Sequence, residues 1–384
     1  MTHPPTAPLT EVDRWRELAR RSHALIAEHQ QPGGAYPAAP TFSAYRGYAW
    51  LRDGAFTAEG MSRYGDLGSA GSFHDWVSGV LAGRRDQVDS LVARVGAGQE
   101  VAQSELLPTR FTFDGADGSD PWWDFQTDGY GTWLWSVVTH ADRHGLDLAR
   151  WRAGIEVAVD YACLTWSWPC YDWWEEHVEH RHLSTLGALH AGLAAVADAG
   201  VLDDARTAAA RTAAAAVREL ALRDGVSGGR PGHLVKWIGS DAVDGSLAAC
   251  VVPFGLVPVG SPVADATLDA VRADLAVDGG VHRFRADVFY GGGQWLLLTC
   301  LLGWNEAVAG NRENALARLR WVADHATPAT GELPEQVPDH LLHPEHHAEW
   351  VDRWGTVATP LLWSHGMYLI LADELGLLPD TESR

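Results

Sequence analysis

Apolar residues recur at three- and four-residue spacings along most of the chain, the period of an amphipathic helix, and long alternating runs are rare. The spacing predicts helices over 10–29, 53–64, 70–95, 128–144, 148–166 and 183–199. It predicts more over 203–225, 245–255, 263–275, 293–309, 311–327 and 358–377. Alanine-rich stretches such as ARTAAAARTAAAAVREL strengthen the reading, because alanine loses least on entering a helix. Strand signals are confined to 33–48 and to LVKWIG around Lys236, which read as short β-hairpins inserted between helices. The fold class is therefore all-α, and about twelve helices of similar length would pair into six hairpins. Segments 104–127 and 328–357 lack helical periodicity and are long for connections in a compact domain, which marks them as candidate functional loops.

Composition narrows the function. The chain has 384 residues, 46% of them hydrophobic and 21% charged, with no stretch that reads as a linker, so one large domain over 1–384 is expected. Its net charge of −21 repels phosphate backbones and anionic lipid, which excludes nucleic acid and membrane surfaces as partners. Lys236 is the only lysine. Met1–Thr10 shows no basic stretch followed by an apolar run, and no later segment has the length of a membrane span, so a cytoplasmic location is expected. Cys163, Cys170, Cys250 and Cys300 are scattered and are expected as reduced thiols. The 19 tryptophans against nine phenylalanines suit stacking on the C–H faces of sugars, although many must serve the core.

Five stretches could carry chemistry. In YRGYAWLRDGAF, Arg52 and Asp53 stand among aromatics at a predicted helix start, as a helix cap or as a donor and acceptor pair for sugar hydroxyls. In YDWWEEH, Glu175 and Glu176 follow two tryptophans. Neighbouring side chains diverge by about 100°, so only one of the two carboxylates can reach a given spot. A tryptophan wall would desolvate that carboxyl and keep it protonated, as a general acid requires. In GELPEQV, Pro334 stiffens the backbone before Glu335 on an otherwise loose segment. WWDFQTDGYG and RFRADVFYGGGQW complete the set. Gly291–Gly293 do not make a phosphate loop, since no G-K-[ST] follows. The histidine runs HVEHRH and HPEHH lack the H-E-x-x-H spacing of a zinc hydrolase, so no metal and no cofactor is expected.

In this order, the stretches resemble glycoside hydrolase family 15, the glucoamylases and their relatives, along nearly the whole chain. YAWLRD is similar to the family's aromatic-x-W-x-R-D segment, FQTDGYG to Q-x-D-G, and YDWWEEH to W-E-E. RFRADVFYGGGQW resembles R-Y-x-x-D-x-Y-Y-x-G-x-x-W, LPEQV resembles S/P-E-Q, and TPLLWSHG the closing L-T-W-S-Y. The resemblance implies an (α/α)6 barrel and an inverting, exo-acting hydrolase that releases β-glucose from the non-reducing end of short α-glucosides. It makes Glu175 the general acid and Glu335 the general base, on either side of the scissile bond with room for a water. It places Trp50, Arg52, Asp53 and Arg283 around the terminal glucose, with Trp122 and Trp174 as walls, Glu176 near the next sugar and Asp128 in support. Tyr45 or Tyr48 would lie by the attacking water. Gly47 looks like a one-residue insertion that leaves the choice open, with Tyr45 favoured and Tyr48 kept among the binding residues.

Phe289 replaces the first tyrosine of the family's pair. A tyrosine that this partner would have fixed is then freer to ionise or shift, which predicts a pH profile that departs from a simple bell. The chain shows neither the N-terminal β-sandwich of many bacterial relatives nor a starch-binding module, so short oligosaccharides are the expected partners. Isomaltose and other α-1,6-linked glucosides rank ahead of α-1,4-linked maltooligosaccharides and of trehalose. The competing readings are an (α/α)6 phosphorylase, which would need a phosphate pocket in place of Glu335, and a non-catalytic sugar-binding protein.

Overall fold

A computed structural model describes residues 10–122 and 124–378. Most of the Met1–Thr10 start therefore lies outside the described residues, as does Trp123. Thirteen α-helices occur among the described residues: α1 (Glu11–His29), α2 (Leu51–Tyr64), α3 (Leu67–Ala82), α4 (Arg85–Gly96), α5 (Asp128–His144), α6 (Arg152–Thr165) and α7 (Leu183–Asp198). They continue with α8 (Asp204–Asp224), α9 (Pro262–Leu275), α10 (Leu296–Val308), α11 (Arg312–Asp324), α12 (His347–Trp354) and α13 (Leu362–Glu374). The helix starts follow capping chemistry. Thr10 and Asp13 form a capping box, Asp66 and Asp203 cap α3 and α8, and Ser261 with Pro262 opens α9.

The helices form two concentric rings. Helices α2, α5, α7, the 3₁₀ segment Gly245–Cys250, α10 and α13 touch in succession, and α13 returns to α2. Behind them lie α3, α6, α8, α9, α11 and α1, each against one or two inner members. This is an (α/α)6 barrel. The sequence separates the rings by periodicity. Inner helices such as LLLTCLLGWNEAV and LWSHGMYLILADE are apolar nearly all round, and they are buried nearly all round. Outer α11 buries only Ala315, Leu319 and Val322, one stripe along its length. Glycine sets the closest inner crossings. A Cβ on Gly131 of α5 would lie 2.5 Å from the Ala188 backbone of α7, and one on Gly60 of α2 would lie 2.6 Å from the Gly366 carbonyl of α13.

The structure corrects several element boundaries. The predicted helix 70–95 breaks at Gly83–Arg84 into α3 and α4, and Arg84 reaches across to the Gly115 carbonyl. The predicted helix 245–255 is a 3₁₀ segment and a turn, so one inner position lacks an α-helix. The loop 328–357 holds α12. The 33–48 stretch forms no local hairpin: β1 (Tyr48–Trp50) pairs with β2 (Arg110–Thr112), about sixty residues away. Around Lys236 there are only isolated bridges, Val226 with Leu234 and His182 with Trp237. A four-stranded sheet instead joins β3 (Ala276–Val277), β4 (Gly280–His282), β5 (Gln294–Trp295) and β6 (Gln336–Val337) in that order. Its β5–β6 ladder binds the RFRADVFYGGGQW stretch directly to the residues after Glu335. Such pairings leave no short-range signal, because the partners are far apart in sequence. No described helix is long and apolar enough to cross a membrane. All four cysteines are free, and three of them are buried.

Candidate active site

The chemistry-bearing stretches lead into the inner helices α2, α5, α7, α10 and α13, so the ring gathers them at one end. They enclose a cavity with about 950 Å³ of space between atoms, part of it open to solvent. Tyr45, Trp50, Arg52, Asp53, Trp122, Trp174, Glu175, Glu176, Arg283 and Glu335 line it, and all ten were expected from the sequence.

Arg52 and Asp53 occupy the first turn of α2, where backbone N–H groups are unpaired and negative charge is favoured. Arg52 Nη1 donates to Gln126 Oε1 at 2.9 Å and to Asp128 Oδ2 at 3.0 Å, so Asp128 orients the arginine from behind instead of facing the cavity. Arg52 Nε and Asp53 Oδ2 face each other as an ion pair at 3.4 Å, and neither makes a hydrogen bond within the protein. Across the cavity, Arg283 donates to Asp287 through Nε at 2.7 Å and to Glu176 Oε1 through Nη2 at 3.3 Å. Its guanidinium lies 5.2 Å from the ring centres of Trp174, Phe289 and Trp295.

Glu175 sits in a turn after α6 at φ 64°, a left-handed conformation that non-glycine residues rarely take. The turn is closed by Glu175 N–H donating to the Asp172 carbonyl at 3.0 Å and by Asp172 N–H donating to the Glu176 carbonyl at 3.1 Å. Trp50 Nε1 donates to Glu175 Oε1 at 2.6 Å. Burial raises the Glu175 carboxyl above its ordinary value, with Arg52 and the Trp50 hydrogen bond pulling the other way.

Glu335 is held from three sides. Its N–H donates to the Ala358 carbonyl at 2.9 Å, Ser364 Oγ donates to the Pro334 carbonyl at 2.9 Å, and Leu333 N–H donates to His365 Nε2 at 3.0 Å. The sequence predicts helix from 358. Instead, 358–361 is non-helical and bends at Thr359 and Pro360 ahead of α13, and that strip provides the Ala358 anchor. Tyr45 Oη donates to Glu335 Oε1 at 3.0 Å, while Oε2 has no partner in the protein. Burial raises Glu335 to about 8, against the Tyr45 hydrogen bond and Arg283. Burial and the charges of Glu335 and Glu175 hold the Tyr45 phenol well above its ordinary value, so it donates as a neutral hydroxyl. The ionisation expected from the Phe289 replacement is therefore opposed, and Glu335 itself anchors the hydroxyl.

Of the two tyrosines, Tyr45 is the one that contacts Glu335, and the two are separated by a turn in which Tyr48 N–H donates to the Tyr45 carbonyl at 3.2 Å, with Gly47 at φ 96°. Tyr48 points away from the cavity and gives its hydroxyl to Asp120. Its ring and that of Trp122 sandwich the Arg110 guanidinium at 3.8 and 4.0 Å. Sequence reasoning missed Arg110, because nothing in TRFTF marks it. It also missed Trp350 and Trp354, which α12 brings to the cavity, and Trp173, Trp295 and Trp363. The tryptophan excess was the available signal for those five. The histidines of HVEHRH pack on Trp237, with His180 stacked at 4.5 Å. No group of three His, Cys, Asp or Glu residues is arranged to hold a metal among the described residues.

A helical double ring with a buried and a half-buried glutamate and two arginine–carboxylate pairs in a tryptophan-walled cavity defines a class of sugar-cleaving barrels. Residues 13–318 match Glycosyl hydrolases family 15, and the chain belongs to that family as a glycoside hydrolase. The isomaltose glucohydrolase of Kribbella flavida is 70% identical over 370 residues, which cover 96% of this chain and 95% of that protein. A solved wild-type glycosidase superimposes with a TM-score of 0.94 at 69% identity, over 97% of this chain and 100% of that one. A single-residue variant of a glycosidase in complex with glucose matches equally well. The glucoamylase of Saccharomycopsis fibuligera shares the fold at 15% identity, with a TM-score of 0.73 over 98% of both chains.

Proposed function

We propose that the chain hydrolyses short α-glucosides from the non-reducing end with inversion, releasing β-glucose, and that isomaltose is its preferred substrate. The observation that carries this reading is the placement of Glu175 and Glu335 in one tryptophan-walled cavity, each with a different set of partners. The substrate preference rests on the 70% identical relative named for isomaltose.

In this mechanism Glu175 gives its proton to the glycosidic oxygen as the bond to C1 breaks. A water attacks C1 from the opposite face and loses a proton to Glu335. Tyr45 occupies Oε1 of Glu335, which leaves Oε2 for that water. The same two contacts that oppose burial, the Tyr45 hydrogen bond and Arg283, favour the ionised base, and a water donating to Oε2 adds to them. Arg52 Nε and Asp53 Oδ2, paired ionically with each other but making no hydrogen bond within the protein, suit hydroxyls of the terminal glucose as donor and acceptor. The positive charge that develops at C1 is stabilised by the surrounding carboxylates. Arg283 lies next to Glu176, so Arg283 is assigned to the terminal glucose on its side facing the second residue, and Glu176 to that second residue.

The test is a panel of isomaltose, maltose, panose and trehalose, with the anomer of released glucose followed by NMR. We expect isomaltose to give the highest kcat/KM and β-glucose to appear first. Initial α-glucose would contradict inversion, and a maximum on maltose would move the assignment to α-1,4 linkages.

A further inference from the structure

The only lysine of the chain is buried beneath the turn that carries Glu175. Lys236 is 3% exposed, and its Nζ donates to Asp172 Oδ2 at 2.9 Å and also to Asp244 Oδ2. The face of Phe284 lies 3.8 Å away. Both carboxylates are themselves buried, and both spend their remaining capacity on the catalytic segment or its neighbours. Asp172 Oδ1 accepts the N–H groups of Trp174 and Glu176, each at 2.9 Å. Asp244 Oδ2 accepts Trp174 Nε1 at 2.9 Å, and Oδ1 accepts Ser246 N–H at 2.8 Å. The lysine backbone is fixed in turn, since Leu183 N–H at the start of α7 donates to the Lys236 carbonyl.

Glu175 stands between the two N–H groups that Asp172 holds, and its φ of 64° carries a cost of about 1–3 kcal/mol that the surroundings must offset. Hydrogen bonds to a single Asp172 oxygen, on either side of the strained residue, supply that constraint. Asp172 holds them most firmly as an ionised carboxylate, since charge-assisted hydrogen bonds are the stronger ones, and an ionised carboxylate at that depth needs its cation.

Resting on the assignment of Glu175 as the acid, we propose that Lys236 is the positioning residue of the proton donor, holding the 172–176 turn so that Glu175 faces the glycosidic oxygen. Without the lysine, Asp172 takes up a proton or turns toward water. The Trp174 and Glu176 N–H groups are then held more weakly or lost, and Glu175 relaxes toward negative φ. A displacement of about 1 Å at a catalytic group costs on the order of 100-fold in rate.

Leaving-group dependence separates this role from general stability. α-Glucosyl fluoride is hydrolysed as water attacks C1, Glu335 takes the water proton and fluoride departs with the C–F electrons, so it needs little help from the acid. Glu175→Gln serves as the reference. It is expected to lose isomaltose hydrolysis by at least about 1000-fold and to keep the fluoride within about tenfold. Lys236→Met, checked for folding by circular dichroism, is expected to follow the same split: about 100-fold lower kcat on isomaltose, a KM within a few-fold, and fluoride turnover nearly retained. Lys236→Arg is expected to restore part of the isomaltose rate. Equal loss on both substrates in folded Lys236→Met, or no loss on either, overturns the proposal. If Lys236→Met does not fold, Lys236→Gln is read in its place by the same split, and a uniform or absent effect overturns the proposal likewise. If Glu175→Gln itself loses both substrates equally, the assignment of the acid fails instead.

Discussion

In the proposed mechanism two glutamates take opposite tasks in one cavity, and burial raises both. Charge environment alone therefore does not sort acid from base; the partners do. Glu335 receives a hydroxyl donor and keeps one oxygen unmatched, whereas Glu175 is aimed by a strained turn and an indole N–H. A base must be ionised, so activity falls as the pH drops through its pKa, and the acid limb of kcat/KM should lie above the ordinary carboxylate value of 4.5. Tyr45→Phe removes the donor that favours ionised Glu335 and raises that pKa further. The expected outcome is an acid limb displaced to higher pH with kcat lowered by about 10–100-fold, read from pH profiles on isomaltose. An unchanged limb would show that the hydroxyl does not tune the base. Glu175 and Glu335 were legible in the sequence, but neither the positive φ of Glu175 nor its lysine clamp was, because both depend on contacts from remote segments.

The inner helices are packed where side chains are smallest. Gly131 of α5 faces the Ala188 backbone of α7, and Gly192 of α7 returns the contact to Gly131. Gly131→Ala leaves backbone nowhere to go except apart, an overpacking cost of about 1–3 kcal/mol. It should lower Tm by a few degrees in calorimetry. The same substitution at Gly79, where a Cβ would meet nothing within 4 Å, serves as the control and should leave Tm unchanged or raised. Helical periodicity located most elements, since it is a local property of the chain. It misplaced 245–255, where a 3₁₀ segment completes the ring, and it missed α12, whose eight residues sit among prolines and histidines. That short helix matters to the site because it brings Trp350 and Trp354 to the cavity wall.

Buried neutral histidines tie the stability of the whole barrel to pH. Burial lowers His74 well below its ordinary value of 6.5, His140 to about 4 and His365 to about 3. The unfolded chain binds protons at these groups near 6.5, and the folded chain does so only at lower pH. Their contribution is complete above 6.5 and is lost as the pH falls through 6.5 toward the folded values. His365 also accepts the Leu333 N–H, two residues before Glu335. His365→Gln, whose amide retains an acceptor and a donor, should be less stable than wild type at pH 7, with the Tm gap narrowing toward pH 5. A gap independent of pH would exclude the titration of His365. Taken alone, the sequence determined the helical class, the family and the two glutamates, because periodicity and ordered motifs are local and survive in the letters. Only the tertiary structure decided which tyrosine meets the base, how the β5–β6 ladder joins two distant motifs, and where the one lysine lies. Those outcomes depend on closing the ring, which brings residues tens or hundreds of positions apart within hydrogen-bond reach.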